Sequence, residues 1–506
     1  MEKYVLGIDI GTTSVKTVLL SSAGRMVAES IRYHDLISLH QNWAEERADL
    51  WWENAVETVR DIGRQIPGGL ENVVCIGCSG MVPAIVMLDQ DGNPVRNTIQ
   101  QNDARAVEEI AQVTGALDQK LLYQQTGGTT NQQHIIPRLL WVKHHEPENW
   151  AKTRMVMGSY DYILYKMSGV PSIELNWAAE SGCFDIRQRK WLTEQFAQFE
   201  IDPSWFPKVS APSDVVGCTS PEMTQTMGLP AGIPIIAGSA DHVASTLAAG
   251  IIDEGDLLIK FGGAGDIMYC TEQLETNPQL FFDYHDVPGR YLINGCMASS
   301  GSLVKWFTRS VLESDDPHIL QKLDQEAEKI PAASDGVLVL PYFLGEKTPL
   351  FDPGARGVIF GLTLSHTKIH IFRAILEAVI YGFRHHIEVI EQMGHRPKQI
   401  IATDGGAKSP LWCQIAADIL GAEVRAYPSH PGSALGVAFL AGMQGGLFHD
   451  WSEINRFLTE YKVYKPDPSA VQIYDKAYHI YRNLYQQLKP SCEDLQNLYR
   501  LSLIHI

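Results

Sequence analysis

The sequence predicts a mixed α/β protein built from two related halves. Strand signals and helical stretches alternate along the chain, which is typical of this class. A pattern of strand, Gly-rich turn and strand occurs over residues 4–20 and returns over residues 257–269. A length of 506 residues also exceeds what one hydrophobic core usually serves. We therefore expect two domains, with their junction near residues 249–254.

The first hairpin carries residues that suit a phosphate group. Gly11 lets backbone N–H groups approach an anion, the hydroxyls of Thr12 and Thr13 add donors, and Lys16 adds a positive charge. Asp9 would repel a phosphate unless a cation stood between them, and Mg²⁺ is the cation of ATP chemistry. The turn indicates phosphate binding with a metal at Asp9; the alternative is an ordinary hairpin with a polar turn.

Composition excludes several classes of protein. With 41 Lys and Arg against 59 Asp and Glu, the net charge of −18 opposes sequence-independent binding to nucleic acid or to anionic membranes. Eight cysteines are too few for a disulfide scaffold, and Cys75 and Cys78 fall in a predicted buried strand. The N-terminus lacks the basic region of a signal peptide, and no long window is uninterruptedly apolar. We therefore expect a cytoplasmic protein.

The remaining elements follow from periodicity and turn residues. Helices are predicted over residues 49–59, 137–145, 370–391, from 410 onward and 468–488. Strands are predicted over residues 73–78, 85–88, 234–236, 337–340 and 399–403. Residues 501–506 fit no pattern.

Asp241 follows the strand at 234–236 and a run of small residues that leaves space for a ligand. A carboxylate placed there can take the proton of a hydroxyl that attacks a γ-phosphate. The alternative is an Asp that caps a helix starting at His242. His242 itself is expected to pack or to form a hydrogen bond rather than to act in catalysis.

Two further polar segments are candidate binding sites. Residues 403–409 lie between a strand and a helix, where α/β proteins bind nucleotides, although a plain loop with a Ser cap is the alternative. Asp103 and Arg105 lie in the polar stretch 97–105, where a carboxylate kept ionised by Arg105 could bind the hydroxyls of a polyol. A surface ion pair is the alternative for this pair.

Through these motifs the chain resembles the FGGY carbohydrate kinases, which share the fold of the actin, hexokinase and Hsp70 ATPases. The sharpest agreement is residues 357–362, followed by seven residues and then 370–377, which fit the family's second signature at every constrained position. The resemblance implies two ribonuclease H-like domains with a catalytic cleft between them. It assigns sugar binding, the first phosphate loop and the catalytic base to residues 1–249. ATP binding is assigned to residues 250–490, and the tail 491–506 has no assigned role.

The resemblance also implies a role for each site residue, with ATP and Mg²⁺ as the implied substrate and cofactor. Asp241 matches the catalytic base and Asp9 the magnesium-associated carboxylate. The other matches are Gly11, Thr12, Thr13 and Lys16 in the first phosphate loop, Gly262, Gly263 and Gly265 in the second, Gly405, Gly406 and Ser409 at the adenosine site, and Met81, Asp103, Arg105 and Asn176 beside the sugar.

The chain departs from the family pattern mainly near the sugar. Xylulokinases usually have Gln-Met-His where this chain has residues 80–82, and a Trp where it has Gln101. The second phosphate loop lacks the usual hydroxyls, and Asp404 replaces the first Gly of the adenosine triplet. A pentulose such as D-xylulose is the expected substrate. The alternatives are a tetrose or tetrulose, ribulose, gluconate, glycerol or an autoinducer-type substrate, and, from another class, a non-metabolic actin-like ATPase. The sequence leaves the assembly open, with a homodimer as one option.

Overall fold

The computed structural model describes residues 2–40, 42–430 and 432–504, and for 499–504 the backbone alone. The chain forms two compact units. The first consists of the described residues of 1–252, 283–291 and 431–457, and the second of 253–282, 292–430 and 458–506. The units are thus interleaved in sequence, whereas the division into domains at residue 249 stays a prediction.

The strands and helices are named in chain order. The strands are β1 Tyr4–Ile10, β2 Ser14–Ser21, β3 Met26–Tyr33, β4 Glu45–Glu46, β5 Val73–Gly80, β6 Val86–Leu88, β7 Thr98–Ile99, β8 Met155–Met157, β9 Ile173–Glu174, β10 Phe184–Asp185, β11 Lys190–Trp191, β12 Val209–Ser210, β13 Val215–Cys218, β14 Pro234–Ile236, β15 Ser239–Ala240, β16 Asp256–Phe261, β17 Gly265–Thr271, β18 Phe281–Tyr284, β19 Tyr291–Met297, β20 Leu338–Leu340, β21 Val358–Phe360, β22 Gln399–Thr403, β23 Val424–Ala426 and β24 Lys462–Tyr464. The α-helices are α1 Ala48–Gln65, α2 Val107–Ala116, α3 Gln119–Thr126, α4 Ile135–His145, α5 Pro147–Lys152, α6 Ser159–Ser168, α7 Leu175–Glu180, α8 Thr193–Gln198, α9 Glu222–Thr226, α10 Asp241–Ala248, α11 Gly301–Trp306, α12 Ile319–Ala327, α13 Lys368–Gln392, α14 Pro410–Leu420, α15 Ser433–Gln444 and α16 Pro468–Ile504.

Most predicted elements are present with shifted ends. Helix α14 begins at Pro410 as predicted, and α13 extends the predicted helix by a few residues at its start. The last helix was predicted to end at residue 488, but α16 continues to Ile504 and contains Pro490. Residues 501–504, which fit no pattern in the sequence, are therefore helical, and 505–506 lie outside the described residues.

The first unit contains a seven-stranded sheet of order β13-β14-β5-β1-β2-β3, with β15 also paired to β5. Strands β1 and β2 form the predicted antiparallel hairpin, with Asp9 opposite Lys16. Strand β5 runs parallel to β1 and places Ser79 beside Asp9, and β15 places Ser239 beside Ser79. Parallel strands end at one edge of a sheet. Asp9 and Asp241, which directly follows β15, therefore belong to the same edge.

The second unit repeats this arrangement. Its seven-stranded sheet has the order β18-β19-β17-β16-β22-β23-β24. Strands β16 and β17 form a second antiparallel hairpin, with Phe261 opposite Gly265, and β22 runs parallel to β16 as β5 does to β1. The two halves are only weakly similar in sequence. They are related by this shared local topology of a hairpin with a parallel strand beside it.

Helix α15 packs closely on the first sheet through small residues. A Cβ on Gly7 would overlap the carbonyl oxygen of Ala434, and a Cβ on Gly436 would overlap that of Ala244 in α10. Backbones approach this closely only where no side chain intervenes. Helix α15 therefore holds the position of α10, the helix that begins at Asp241.

We expect Gly436→Ala to lower the stability of the protein by about 3 kcal/mol, because a backbone atom cannot rotate away from the added methyl group. Gly115→Ala is the matched control, since Gly115 also lies in a helix and an added Cβ there meets nothing within 4 Å. The control is expected to shift stability by less than about 1 kcal/mol. Thermal and urea unfolding measure both changes, and equal effects of the two substitutions would contradict the packing argument.

The segment 357–377 forms a strand end, a turn and the start of a buried helix in the second unit. Strand β21 ends at Phe360, and Gly361 has a φ of +89° where an added Cβ would overlap the Gly336 carbonyl oxygen. Helix α13 then begins with the Thr367 side chain accepting from the Ile369 amide at 3.3 Å. Gly361 therefore ends the strand at a position where a side chain would overlap the backbone.

Helix α13 is joined to its surroundings by a buried polar network. Glu377, with no exposed surface, accepts from Arg373 Nε at 2.9 Å, from the Tyr474 hydroxyl at 2.8 Å and from the Ser334 hydroxyl at 2.8 Å. Arg373 also donates to Tyr474 at 3.0 Å and to the Ala327 carbonyl at 2.9 Å. Burial raises the pKa of Glu377, and Arg373 opposes that rise. The network links α12, α13 and α16.

All eight cysteines are free thiols, and Cys75 and Cys78 are buried as predicted. Burial raises the pKa of the Cys75 thiol to about 12, which keeps it protonated and unreactive. Among the residues that the structure describes, no helix has the length and apolarity that crossing a membrane requires.

Candidate active site

The turn of the first hairpin presents free backbone donors. Gly11 N donates to Ser14 O at 2.9 Å and closes the turn, whereas the amides of Thr12 and Thr13 donate to no other described residue. Unpaired amides at a tight turn are a site for an anion. Lys16 extends instead toward Glu29, with Nζ 3.3 Å from Oε2 and about a third of its side chain exposed. Phosphate binding by Lys16 stays a prediction.

Asp9 lies near the end of β1, where its Oδ1 accepts from the Ser79 hydroxyl at 2.7 Å. Carboxylate and hydroxyl oxygens are hard donors of the kind that Mg²⁺ prefers. Asp9 and its surroundings therefore fit the predicted metal, with Asp9 as the charged residue that would hold it.

The second hairpin is arranged in the same way within the second unit. The carbonyl of Gly262 accepts from Gly301 N at 2.7 Å, and that of Gly263 accepts from the amides of Ser300 and Ser302 at 2.9 and 3.1 Å. The amides of Gly262, Gly263 and Ala264 make no hydrogen bond to any residue in the described ranges. Gly265 starts β17 where an added Cβ would crowd Met297, Phe383 and Ser300. Hydrogen bonds within the protein fix the carbonyls of Gly262 and Gly263, whereas the amides of the turn stay available to a ligand.

The loop after β22 has a packing role that the sequence did not reveal. Gly405–Lys408 form a 3-10 helix, and Asp404 before it has a φ of +70°. An added Cβ on Gly406 would lie 2.5 Å from Phe261 Cβ and 2.6 Å from the Trp412 ring. Ser409 caps α14 by accepting from Trp412 N at 3.0 Å, so the helix-cap alternative is correct for this side chain. Adenosine binding by Gly405, Gly406 and Ser409 stays a prediction.

Asp241 is the first residue of α10, and the residue at its N-cap is Ala240. The alternative of a capping Asp before a helix at His242 is therefore wrong. Its Oδ1 accepts from the His242 amide at 2.6 Å, and His242 Nδ1 stands 3.5 Å away. Oδ2 has no partner among the described residues, and about a third of the side chain is exposed. One carboxylate oxygen is fixed and the other can accept a proton.

Asp103 and Arg105 form a buried pair, so the surface ion pair considered from the sequence is wrong. Arg105 donates from Nε to Asp103 Oδ1 at 2.9 Å and from Nη2 to Oδ2 at 2.8 Å, and Ala44 N donates to Oδ2 at 2.6 Å. Both side chains have no exposed surface. The guanidinium lies 3.9 Å from the ring centre of Trp43 and also contacts Glu45 at 2.7 Å. The pair is held rigidly by partners on all sides.

Two other residues predicted near the sugar are also buried. Met81 directly follows β5 and is 2% exposed. Asn176 donates from Nδ2 to the Tyr284 carbonyl at 3.0 Å and accepts from the Tyr284 amide at 2.8 Å. Both ends of the Asn176 amide are thus engaged in holding the segment 283–291. Their contact with a sugar stays a prediction.

Family models match the chain over most of its length. The N-terminal domain of the FGGY family of carbohydrate kinases matches residues 4–248, and its C-terminal domain matches residues 269–445. The chain belongs to the FGGY family of carbohydrate kinases. It is therefore an enzyme that transfers a phosphoryl group to a sugar hydroxyl, and its two sheet-containing units agree with the actin-like domains of that family.

Similar proteins cover the chain nearly end to end. Xylulose kinase from Rhodospirillum rubrum, whose crystal structure is known, is 38% identical to this chain in sequence. The two structures match with a TM-score of 0.93, and the match covers 97% of this chain and 100% of that one. The xylulose kinase of Bacillus subtilis (strain 168) is 29% identical over 490 residues, covering 96% of this chain and 97% of its own. Gluconate kinase from Lactobacillus acidophilus is 27% identical, with a TM-score of 0.91 over 98% and 100%.

The kinase has a group of ionisable residues at α10 that sequence reasoning missed. His242 Nε2 lies 2.9 Å from Asp283 Oδ2 and 3.7 Å from Glu180 Oε1. The hydrogen bond expected for His242 is confirmed, but its partner comes from a segment 41 residues later in the chain. No spacing or motif relates the three positions, because the fold alone brings α7, α10 and β18 together.

Burial and like charge determine the protonation of this group. Burial raises the pKa of Glu180 well above its ordinary value, and Asp283 adds to that rise. Burial alone lowers the pKa of His242, but the charges of Asp283, Asp241 and Glu180 raise it well above the ordinary value. The ligand atoms of Glu180, His242 and Asp283 lie within 4.8 Å of one another. A ring that donates from Nε2 to Asp283 has no lone pair there for a metal.

Proposed function

We propose that this FGGY kinase transfers the γ-phosphoryl group of ATP to a hydroxyl of a pentulose, with D-xylulose as the best substrate and Asp241 as the base. The observation that carries the proposal is the Asp241 carboxylate, in which Oδ1 is fixed by the His242 amide and Oδ2 has no partner among the described residues. This is the arrangement that a general base needs. Its place at the sheet edge shared with Asp9 supports the same role.

In the proposed reaction the substrate oxygen bonds to the γ-phosphorus as the bond from that phosphorus to the bridging β,γ-oxygen breaks. The hydroxyl proton moves to Asp241 Oδ2, and ADP leaves with the bridging oxygen. The amides of Thr12 and Thr13 would donate to phosphate oxygens. When bound, Mg²⁺ neutralises phosphate charge, and Asp9 would hold it. Positioning supplies most of the rate, because phosphoryl transfer needs little covalent help.

The substrate proposal rests on similar proteins and on charge. Xylulose kinases from Rhodospirillum rubrum and Bacillus subtilis are among the similar proteins. A gluconate kinase is also among them, but gluconate carries a carboxylate that requires a cation. The Arg105 guanidinium is already shared by Asp103 and Glu45, so it offers no free charge to such a group. A neutral ketose fits these residues better.

We also propose a cytoplasmic location, in keeping with eight free thiols, and small molecules rather than nucleic acid or membrane as partners, in keeping with the net charge of −18. The proposed assembly is a homodimer. Sedimentation of the purified protein measures its mass directly.

We expect D-xylulose to give a kcat/KM at least about tenfold above that for gluconate, because gluconate would bury a charge without a partner. Coupled ADP release across ketoses, polyols and aldonates measures the preference. Removing Mg²⁺ with EDTA is expected to abolish turnover, and adding it back is expected to restore it. A preference for gluconate would overturn the pentulose proposal, and transfer to no substrate in the panel would overturn the proposed reaction.

A further inference from the structure

The segment 283–291 connects β18 to β19 and carries an acidic residue to the start of α10. Asp283, 2% exposed, accepts from His242 Nε2 at 2.9 Å. Asn176 bonds both backbone groups of the next residue, Tyr284, which fixes the segment at this point. The contact between Asp283 and His242 is therefore built into the fold of the first unit rather than made by a loose side chain.

His242 also faces the proposed base. Its Nδ1 lies 3.5 Å from Asp241 Oδ1, the oxygen that already accepts from the His242 amide. A ring with a proton on each nitrogen can serve Asp283 and Asp241 at once, whereas a neutral ring can donate to only one of them. Because both neighbouring groups are carboxylates, the two contacts together favour the doubly protonated ring.

Among the residues that the structure describes, the charged groups that interact with the His242 ring are acidic. Asp241 lies on its own helix, Glu180 at the end of α7, and Asp283 and Asp286 on the segment 283–291. Glu180 Oε1 stands 3.7 Å from Nε2. This setting favours the charged form of His242 across the neutral pH range, in agreement with the raised pKa of the ring.

We propose that His242, held as an imidazolium by Asp283, is a positioning residue that fixes Asp241 Oδ1 and so presents Oδ2 to the substrate hydroxyl. The proposal rests on the proposed role of Asp241 as the base. Without this second restraint only the His242 amide holds Oδ1, and the carboxylate turns more freely about its Cβ–Cγ bond. The hydroxyl proton goes to Asp241, while His242 keeps both of its own protons throughout.

Asp283→Asn tests the proposal because it keeps the shape of the side chain and removes its charge. We expect kcat for sugar phosphorylation to fall about tenfold, as for a modest misplacement of a reacting group. The KM values for ATP and sugar are expected to change less than about twofold, since ground-state binding is not altered. Asp185→Asn is the matched control, because Asp185 is also buried in the first unit, at 3% exposed, but accepts from the Arg187 and Gln188 amides at 2.9 and 2.7 Å. It is expected to change kcat less than about twofold.

A second measurement does not depend on activity. The ring signals of His242, assigned by their loss in His242→Gln, report its protonation by NMR. In the native protein we expect the ring to stay protonated at about pH 8. In Asp283→Asn it is expected to titrate closer to the ordinary value of about 6.5. A native ring that is neutral at pH 7 would overturn the proposal.

The kinetic outcomes separate this inference from the proposed function. If Asp241→Asn keeps full turnover, the base lies elsewhere and both proposals fail. If Asp241→Asn is inactive while Asp283→Asn and His242→Gln keep the native kcat, the positioning role fails and the proposed base stands. Equal losses of kcat in Asp283→Asn and Asp185→Asn, with equal losses of thermal stability, would also overturn the positioning role.

Discussion

Replacing Asp241 by Asn is expected to lower kcat for sugar phosphorylation by about 100- to 10,000-fold, the usual contribution of a general base. The amide can still accept from the His242 backbone, so the local structure is expected to persist. It cannot take up the hydroxyl proton at pH 7. Coupled ADP release measures kcat, and calorimetric titration with ATP is expected to give a Kd close to that of the native enzyme.

Glu194→Gln is the matched control for this loss. Glu194 also lies in the first turn of a helix, α8, and is exposed. Its substitution is expected to leave kcat within about twofold of the native value, since an exposed first-turn carboxylate contributes only weakly to the structure. Turnover of Asp241→Asn within tenfold of the native rate would assign the proton transfer to another group.

Replacing Glu377 by Ala is expected to destabilise the second unit by about 3–5 kcal/mol, the cost of leaving a buried ion without its partner. Arg373, 7% exposed, would keep its charge while losing the carboxylate 2.9 Å away. Tyr474 and Ser334 would each lose a hydrogen bond of 2.8 Å. Thermal unfolding measures the loss, and hydrogen exchange is expected to locate it in α12, α13 and α16.

Two further variants test the cause of that loss. Glu391→Gln changes an exposed carboxylate at the end of the same helix and is expected to shift stability by less than about 0.5 kcal/mol. The double variant Arg373→Met with Glu377→Leu removes both charges and is expected to be more stable than Glu377→Ala, since no buried ion remains. A double variant less stable than the single one would show that hydrogen bonding, not the unpaired charge, dominates.

Asp241 and Glu377 differ in how much of their role can be predicted from the neighbouring sequence. Asp241 was predicted as a base because a strand, small residues and a carboxylate occur together within eight positions. Glu377 lies in the stretch that most clearly identifies the family, yet its partner Tyr474 stands 97 residues away. The signature near Glu377 therefore identifies the family through a structural network, and only the contacts reveal why a carboxylate stands there.

The residues around the proposed sugar site show a similar contrast. Asp103 and Arg105 were recognised as a pair because they are two positions apart, but these residues by themselves favoured a surface location. The stacking of Arg105 on Trp43, and the bond from Ala44 to Asp103, depend on a segment about 60 residues earlier. Burial of the pair could not be derived from local spacing, since the residues that cover it are distant in sequence.

The sequence by itself determined the class of the fold, the two hairpins with Gly-containing turns and the order of the main helices and strands. Each of these depends on residues within one or two turns or along one strand, where Gly, β-branched residues and apolar periodicity act locally. Tertiary structure alone decided that Asp283 holds His242 beside Asp241, that Asn176 holds the segment 283–291, and that α15 packs on β1. Those contacts join residues 41 to about 400 positions apart, and chain folding rather than local propensity brings them within hydrogen-bond or van der Waals distance.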